Sequence, residues 1–441
     1  MNGRTLAAPS ATPARAGVVP FRALRREARL LVRRRSAVLA VCALALVATV
    51  ACAVGVAEQA RQRQAIERFR ALDGAERAQA LAGSSDWGGA AYAAFHATWD
   101  APAPLAFAAF GQRDVRPWML RIRALALEGQ IYETDVANPE LARTGRLDLA
   151  FVVAFLAPLV LILLLHDLVA GEREAGRHGL LVISAGRPSR LWIPRIVVRL
   201  AAVLLALLLP FLGGAVAVRA PVGTSLLAAA AIAASVLLWA VPILWLAFRP
   251  RPAAAIAAEG VLLWACLALL IPGAGSMFID ARVDAVEGAE VSLVQREAVN
   301  DAWDLPVAVT YERFFASHPQ WADSPYSEVG FQWKWYYAFQ QVGDETAAPL
   351  AARYREALRE RDALAGLLAW VSPAIAGQRW LQHLARTDTA ATLRYEARIR
   401  AFHATLRRFY YPLLFRDLPY DPARFSELPD FARFAAEPAQ P

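Results

Sequence analysis

The chain has 441 residues, 57% of them hydrophobic and 20% charged, with a mean hydropathy of +0.33 and a formal net charge of +8. Its apolar residues fall in runs of about twenty, the length of a bilayer span. Composition therefore excludes a disordered chain, a collagen-like chain, a coiled coil and a small disulfide scaffold, and argues against a soluble enzyme.

Residues 1–35 open the chain, Ala/Pro-rich and expected to be disordered to about residue 20. They hold nine Arg and a single acid, Glu27, which accounts for the whole net charge. Basic charge packed against a first apolar run is a topology signal rather than a nucleic-acid footprint. Over Val19 to Arg35 the pattern predicts an amphipathic helix. Phe21, Leu24, Ala28 and Leu31 share one face, and Arg22, Arg25, Arg26 and Arg29 cover the others. Such a helix either lies in the membrane interface or is a solvated stretch that only sets orientation.

The first span is 36–56. It is longer than the roughly 7–15 residues of a signal-peptide core, and its only cleavage-like site, Ala-Cys-Ala at 51–53, is weak. Residues 57–146 form a polar segment long enough to fold as a small domain. It opens with charged helix-like sequence. Aromatics follow (Trp87, Tyr92, Phe95, Trp99), then a Pro-bounded apolar patch at 105–110. The stretch 120–124 alternates as a strand does, though its surroundings also fit a helix, and the segment as a whole reads as mainly helical.

The second span is 147–169, and a polar loop occupies 170–195. The third span, 196–218, carries Arg199. The fourth is 225–248, and Arg-Pro-Arg-Pro at 249–252 connects it to the fifth, 253–275, which carries Glu259. Residues 276–362 are polar, acidic and rich in Trp and Tyr. The apolar run 363–377 contains Ser372 and Pro373 and is short for a straight span. It is either a re-entrant or interfacial segment or a short sixth span. The tail 378–441 is helix-like to about Phe415. The expected fold is thus an all-α polytopic membrane protein with five clear transmembrane helices, a marginal sixth, and two mainly helical extracytoplasmic segments.

Arg near the spans sets the orientation. With the N-terminus cytoplasmic, the net-basic segments 166–195 and 249–252 also fall inside, and the acidic 276–362 falls outside with 57–146. Cys42, Cys52 and Cys266 lie within apolar runs and read as small core residues, so no disulfide framework is expected. The six histidines form no HExxH or Cys/His cluster at metal spacing. There is no GxSxG, no CxxC and no phosphate-binding GxxxxGK followed by Ser or Thr. No catalytic residue, metal or cofactor is expected, and energy for any work must come from a partner or a gradient.

The loop after the second span carries Glu172, Arg173 and Glu174, then Leu180, Leu181 and Ile183 within an apolar half-turn, then a Gly-Arg-Pro stop at 186–188. It reads as a short amphipathic helix with its acids near the start, where the dipole favours them. It is either a docking contact or an ordinary solvated loop. Arg199 and Glu259 sit at similar depth in their spans. Charges within spans are functional hypotheses by default: they either pair and lock the third span to the fifth, or snorkel independently to the headgroups.

The segment EREAGRHGLLVISAGRPSR (172–190) resembles the cytoplasmic loop of ABC-2-type transporter permeases. The basic helix before the first span and the five closely spaced apolar runs are similar as well. GQRDVRP (111–117), ALALEGQIYET (124–134), NPELARTGRLDLAFV (138–152), HPQWADSP (318–325) and WKWYYAF (333–339) resemble a bacterial branch with a large extracytoplasmic domain after the first span. The resemblance covers most of residues 20–415. It implies a permease subunit in the bacterial inner membrane, working as a homo- or heterodimer with a second permease subunit. Two separate ABC ATP-binding subunits would dock on the 166–190 helix, with Glu172, Arg173, Glu174, Leu180, Leu181 and Ile183 as the coupling residues. The family usually has six spans, and this chain departs from that pattern at 363–377. The competing reading is a multi-span receptor or tether whose outer segments bind a ligand without transport. A membrane-embedded enzyme is a third reading, for which only Arg199 and Glu259 offer groups. Neither reading involves nucleic acid.

Overall fold

The computed structural model describes residues 21–132, 147–284 and 286–436. The disorder expected over 1–20 and the motif residues 133–134 and 138–146 lie outside the described residues.

Helix α1 (Phe21–Val32) precedes α2 (Arg35–Ala82). With 48 residues at 1.5 Å each, α2 is about 72 Å long. Its first half is apolar and its second half charged, yet one stripe is buried along its length: Leu44, Ala48, Ala51, Gly55, Gln59, Gln62, Ile66 and Asp73. That spacing of three or four is one helix face. The span expected to end at 56 ends only in composition. Residues 57–82 contain no proline and nothing else that breaks a helix, so the rod continues.

Asp86 caps α3 (Trp87–Ala93), its carboxylate accepting from the Gly89 amide at 2.7 Å. Strand β1 (His96–Trp99) then pairs antiparallel with β2 (Met119–Ile122), His96 opposite Ile122 and Trp99 opposite Met119. The alternation at 120–124 is therefore a strand at its start, and these are the two strands among the described residues. A short α4 (Glu128–Tyr132) follows.

Next come α5 (Leu149–Glu174), α6 (His178–Ala185), α7 (Pro188–Ala217), α8 (Val222–Ala247) and α9 (Ala253–Arg282). Helices α2, α5, α7, α8 and α9 are the five long and apolar enough to cross a membrane. α5 is the central one, packed against the other four. Leu149, Val153, Leu161, Val203, Phe211, Ile232 and Trp239 belong to the shared core.

The 105–110 patch plugs one end of this bundle. Phe107 is buried and stacked on Phe211 at 5.8 Å. It fits because Gly55 and Gly214 face it. A Cβ at Gly55 would lie 2.0 Å from the Phe107 carbonyl oxygen, and one at Gly214 would lie 2.5 Å from the ring. Asp148 ties the patch to α5. Its carboxylate accepts the Phe110 amide at 2.9 Å and the Phe151 amide at 2.8 Å, the second bond capping the helix.

The remaining helices are α10 (Gly288–Asp304), α11 (Val307–Ser317), α12 (Trp333–Leu368), α13 (Pro373–Ala385), α14 (Thr389–Phe415) and α15 (Phe431–Ala436). They close a second, aromatic core that includes Trp87, Ile122, Tyr311, Phe314, Tyr337, Phe339, Phe402, Tyr410 and Phe415. Segments 57–146 and 276–362 and the tail thus share one core rather than folding as separate pieces. The large aromatics are divided among the three, so none of them closes its own interior.

The run 363–377 is not one helix. α12 ends at Leu368, the chain turns at 369–371, and α13 runs back beside it. Arg379 reaches across to Asp362 with two bonds of 2.8 and 3.1 Å. Ser372 holds the corner, accepting from the Ile375 amide and donating to the Leu267 carbonyl at 2.7 Å. Leu267 lies in a π-turn of α9, Cys266–Leu270, where the wider hydrogen-bond ladder favours an outside partner. Gly377 rests on Ser235. Leu267 and Ser235 both lie near the middle of their helices, so the corner reaches mid-bundle.

Candidate functional site

Chain order brings α1, the end of α5, α6, the start of α7 and the 249–252 turn to one end of the bundle, opposite the aromatic core. Arg195, on the first turns of α7, is the hub. Its guanidinium meets Glu172 at 2.9 Å and Glu27 at 3.2 Å, and all three side chains are nearly buried. Arg177 closes on Glu172 at 3.0 Å, and Arg26 on Glu27 at 3.2 Å. Two carboxylates are thus matched by Arg195 and two flanking guanidinium groups. Removing one partner of a buried pair costs about 3–5 kcal/mol because the other charge is stranded. A second chain of charge runs Arg34–Asp167–Arg199, with Arg199 3.5 Å from Asp167.

Arg199 and Glu259 do not pair. Glu259 instead accepts from Arg251 at 2.6 Å and lies 3.6 Å from Arg249. Each charge finds another partner at the same end of the bundle, Arg199 at Asp167 near the end of α5 and Glu259 at the 249–252 arginines, so the two need not meet.

The six residues expected to form the docking helix divide into two groups. Glu172, Arg173 and Glu174 belong to the last turn of α5, not to α6; Glu172 is buried, and Arg173 and Glu174 are exposed but engaged with the chain at 249–253. Glu172 is in the Arg195 network. Arg173 donates to the Arg249 carbonyl at 2.9 Å, and the Glu174 carboxylate accepts the Ala253 amide at 2.7 Å, capping α9. They brace the end of the bundle. Leu180, Leu181 and Ile183 lie on α6, a separate eight-residue helix. Gly176 and Gly186 bound it, each at φ 68°, a conformation that costs glycine little. His178 stacks on Trp192 at 5.8 Å, and Leu181 packs toward Leu168, Leu191 and Trp192. Leu180 and Ile183 point away, 72% and 80% exposed. Between α6 and α1 lies a groove of about 410 Å³ lined by Leu30, Glu27, Leu181 and Arg190.

Sequence reasoning missed Glu27, Asp167, Arg177 and Arg195. One signal was present: Glu27 is the lone acid in a strongly basic helix, and a lone opposite charge on a buried face calls for a partner. α1 does bury that face, against α7.

The motif residues elsewhere are held by other charges. In 124–134, Glu128 meets Arg400 with two bonds of 2.7 Å, and the Leu127 amide donates to Asp344 at 2.7 Å. Burial pushes the Asp344 carboxyl up against the pull of Arg407, 2.6 Å away. In 111–117, Arg113 binds Asp100 at 2.6 Å and Gln62 at 2.9 Å. Both sets fasten loops to helices. No group of three or more His, Cys, Asp or Glu that could hold a metal occurs among the described residues.

Residues 289–433 are similar to a family described as a domain of unknown function, DUF3526. The match covers the C-terminal helices of the aromatic core together with the α12–α13 hairpin, and none of the Arg-rich end. No curated protein and no solved structure matches the chain.

Proposed function

We propose that this chain is a permease subunit of an ABC-2-type ABC transporter, embedded in the bacterial inner membrane with its N-terminus and Arg-rich end cytoplasmic. A separate ATP-binding subunit drives it, and a second permease subunit completes the translocator. Five helices of spanning length support the membrane placement, and the basic α1 and 249–252 turn support the orientation. The observation that carries the reading is α6. It is a short helix bounded by two glycines beside a charge-braced platform, seated through His178 and Leu181 with Leu180 and Ile183 presented to solvent. A moving partner needs such an exposed apolar handle. Covering each of these two side chains would contribute roughly 1.5–3 kcal/mol.

The structure changes which residues test the idea. Substituting Glu172 would unsettle the platform itself. Leu180→Ala with Ile183→Ala is the informative variant, since neither side chain supports the fold. Purified in detergent, the wild type should bring a stoichiometric ATPase with it. The double variant should keep its elution profile and lose at least nine-tenths of that ATPase. An unchanged ATPase yield defeats the coupling assignment. A receptor reading keeps one observation in its favour, a cleft of about 530 Å³ in the aromatic domain between His318, Trp321 and Arg407. A wild type that brings no ATPase under any extraction condition would favour it.

A further inference from the structure

The α12–α13 hairpin and helices α8 and α9 enclose a cavity of about 930 Å³, at the upper end of the range for small-molecule sites. Near the corner, at mid-bundle, its wall is Ala231, Pro272, Leu368, Ala369 and Ile375. Toward the aromatic domain the wall turns ionic, with Arg361 paired to Asp280, Arg379 to Asp362 and His383 to Asp388. Cations and anions alternate there and nearly cancel. The cavity is open at the side, where Leu227 is exposed and Trp370, at the corner, is 89% exposed. That opening lies beside the apolar faces of α8 and α9, including Leu226, Leu270, Met277 and Phe278.

We propose that this cavity binds one membrane lipid that enters sideways from the bilayer, its acyl chains against the corner and a zwitterionic headgroup among the Arg379–Asp362 and Arg361–Asp280 pairs. Apolar depth at mid-bundle matches acyl chains. A rim of alternating charge matches a headgroup carrying both a phosphate and an ammonium, each of which finds an opposite partner. For a purely anionic headgroup, the attraction of Arg361 and Arg379 is offset by the carboxylates of Asp280, Asp362 and Asp388 beside them. The proposal rests on the membrane placement of the helices and not on ATPase docking.

The full chain, reconstituted in vesicles, is exposed to a phosphatidylethanolamine whose acyl chain carries a diazirine. A matched phosphatidylglycerol probe runs in parallel. After irradiation, the labelled peptides are mapped by mass spectrometry. Label is expected in 269–280 and 364–376, at least fivefold stronger with phosphatidylethanolamine. Ser276→Trp and Ala365→Phe fill the cavity from opposite walls, and each should cut that label at least fivefold while sparing label on α2 and α7. Absence of label in the wild type overturns the proposal without any variant. Undiminished label in the filled variants does so as well, and equal labelling by the two probes overturns the headgroup assignment. A disulfide between two copies at Ser276→Cys, with no lipid label, would assign the cavity to a second copy of the chain and overturn it too. Carbonate extraction of the same vesicles separates the two failures. A chain that washes off has lost its membrane placement, whereas one that stays but takes no label has lost only the lipid site.

Discussion

Arg195 and Arg199 lie four residues apart on one helix, and the structure gives them different partners. Arg195 is coupled to Glu172 and Glu27, Arg199 to Asp167, and Glu259 to the 249–252 arginines. Double-mutant cycles on thermal unfolding in detergent should reflect this. Glu172→Gln with Arg195→Gln should depart from additivity by about 0.5–3 kcal/mol, and Arg199→Gln with Glu259→Gln should add within about 0.5 kcal/mol. A large coupling in the second cycle would restore the bridge expected from depth alone. Depth in a span is readable from sequence. Which neighbour lies beside a charge at that depth depends on helix rotation and on short connections, and hydropathy encodes neither.

Two histidines of the aromatic core make a pH prediction. Burial, helped by Arg77, pushes His96 down to about 3, and burial, helped by Arg407, holds His403 well below the ordinary histidine range. Neither ring nitrogen of His96 has a partner among the described residues. The His403 Nε2–H donates to the Arg123 carbonyl at 3.1 Å. Both stay neutral in the folded chain, while the unfolded chain takes up protons below about pH 6.5. Their contribution is therefore intact above that value and is lost as pH falls below it, for His96 down toward 3 and for His403 in the same direction. At pH 5 His96 should have lost about 2 kcal/mol. Tryptophan fluorescence should report a lower unfolding temperature at pH 5 than at pH 7, and His96→Leu should flatten that difference. An unfolding temperature that stays level or rises on acidification contradicts the assignment.

At the scale of elements, α2 tests how one helix serves two environments. Gly55 and Gly74 lie on the same helix, and only Gly55 is pressed by a neighbour, the Phe107 backbone. Gly55→Ala should destabilise by about 1–3 kcal/mol through overpacking. Gly74→Ala, with nothing within 4 Å of its Cβ, should stabilise by up to about 1 kcal/mol through helix propensity. Thermal unfolding of the two single variants decides this, and equal effects would count against the plug. The long apolar runs were legible because hydropathy reports the surroundings of a helix directly. For the same reason hydropathy ends the span at residue 56, where the surroundings change, while the charged helix-like sequence beyond it continues the same rod. It also left 363–377 between two readings, because a corner at Ser372–Pro373 and a short span have the same composition. The separation of α6 from the Glu172–Glu174 turn rests on Gly176 at positive φ. The sequence shows that glycine without showing its conformation. The 105–110 patch was visible as apolar, but its place at the end of the bundle depends on Gly55 and Gly214, far away in sequence.

At the scale of the whole molecule, the aromatic core constrains topology independently of the arginines. Residues 87–131 and residues 302–431 contribute to the same interior, and four helices of spanning length lie between them. An even number of crossings returns a chain to the side it left, so both halves of that core can share one compartment. A further crossing at 363–377 would put α14 and α15 on the far side from their own packing partners. With Cys42, Cys52 and Cys266 replaced, single cysteines at exposed Ser85, Ser327 and Ser189 make the arrangement measurable with an impermeant maleimide on intact inner-membrane vesicles and on spheroplasts. Ala90 would be a poor probe, since it is fully buried. Ser85→Cys and Ser327→Cys should react in spheroplasts, and Ser189→Cys only in inverted vesicles. Reaction of the first two from opposite faces would break the shared core. The mirror-image pattern would reverse the orientation that the arginines set, and labelling of all three from one face would mean that α5, the helix between Ser85 and Ser189, does not cross the bilayer.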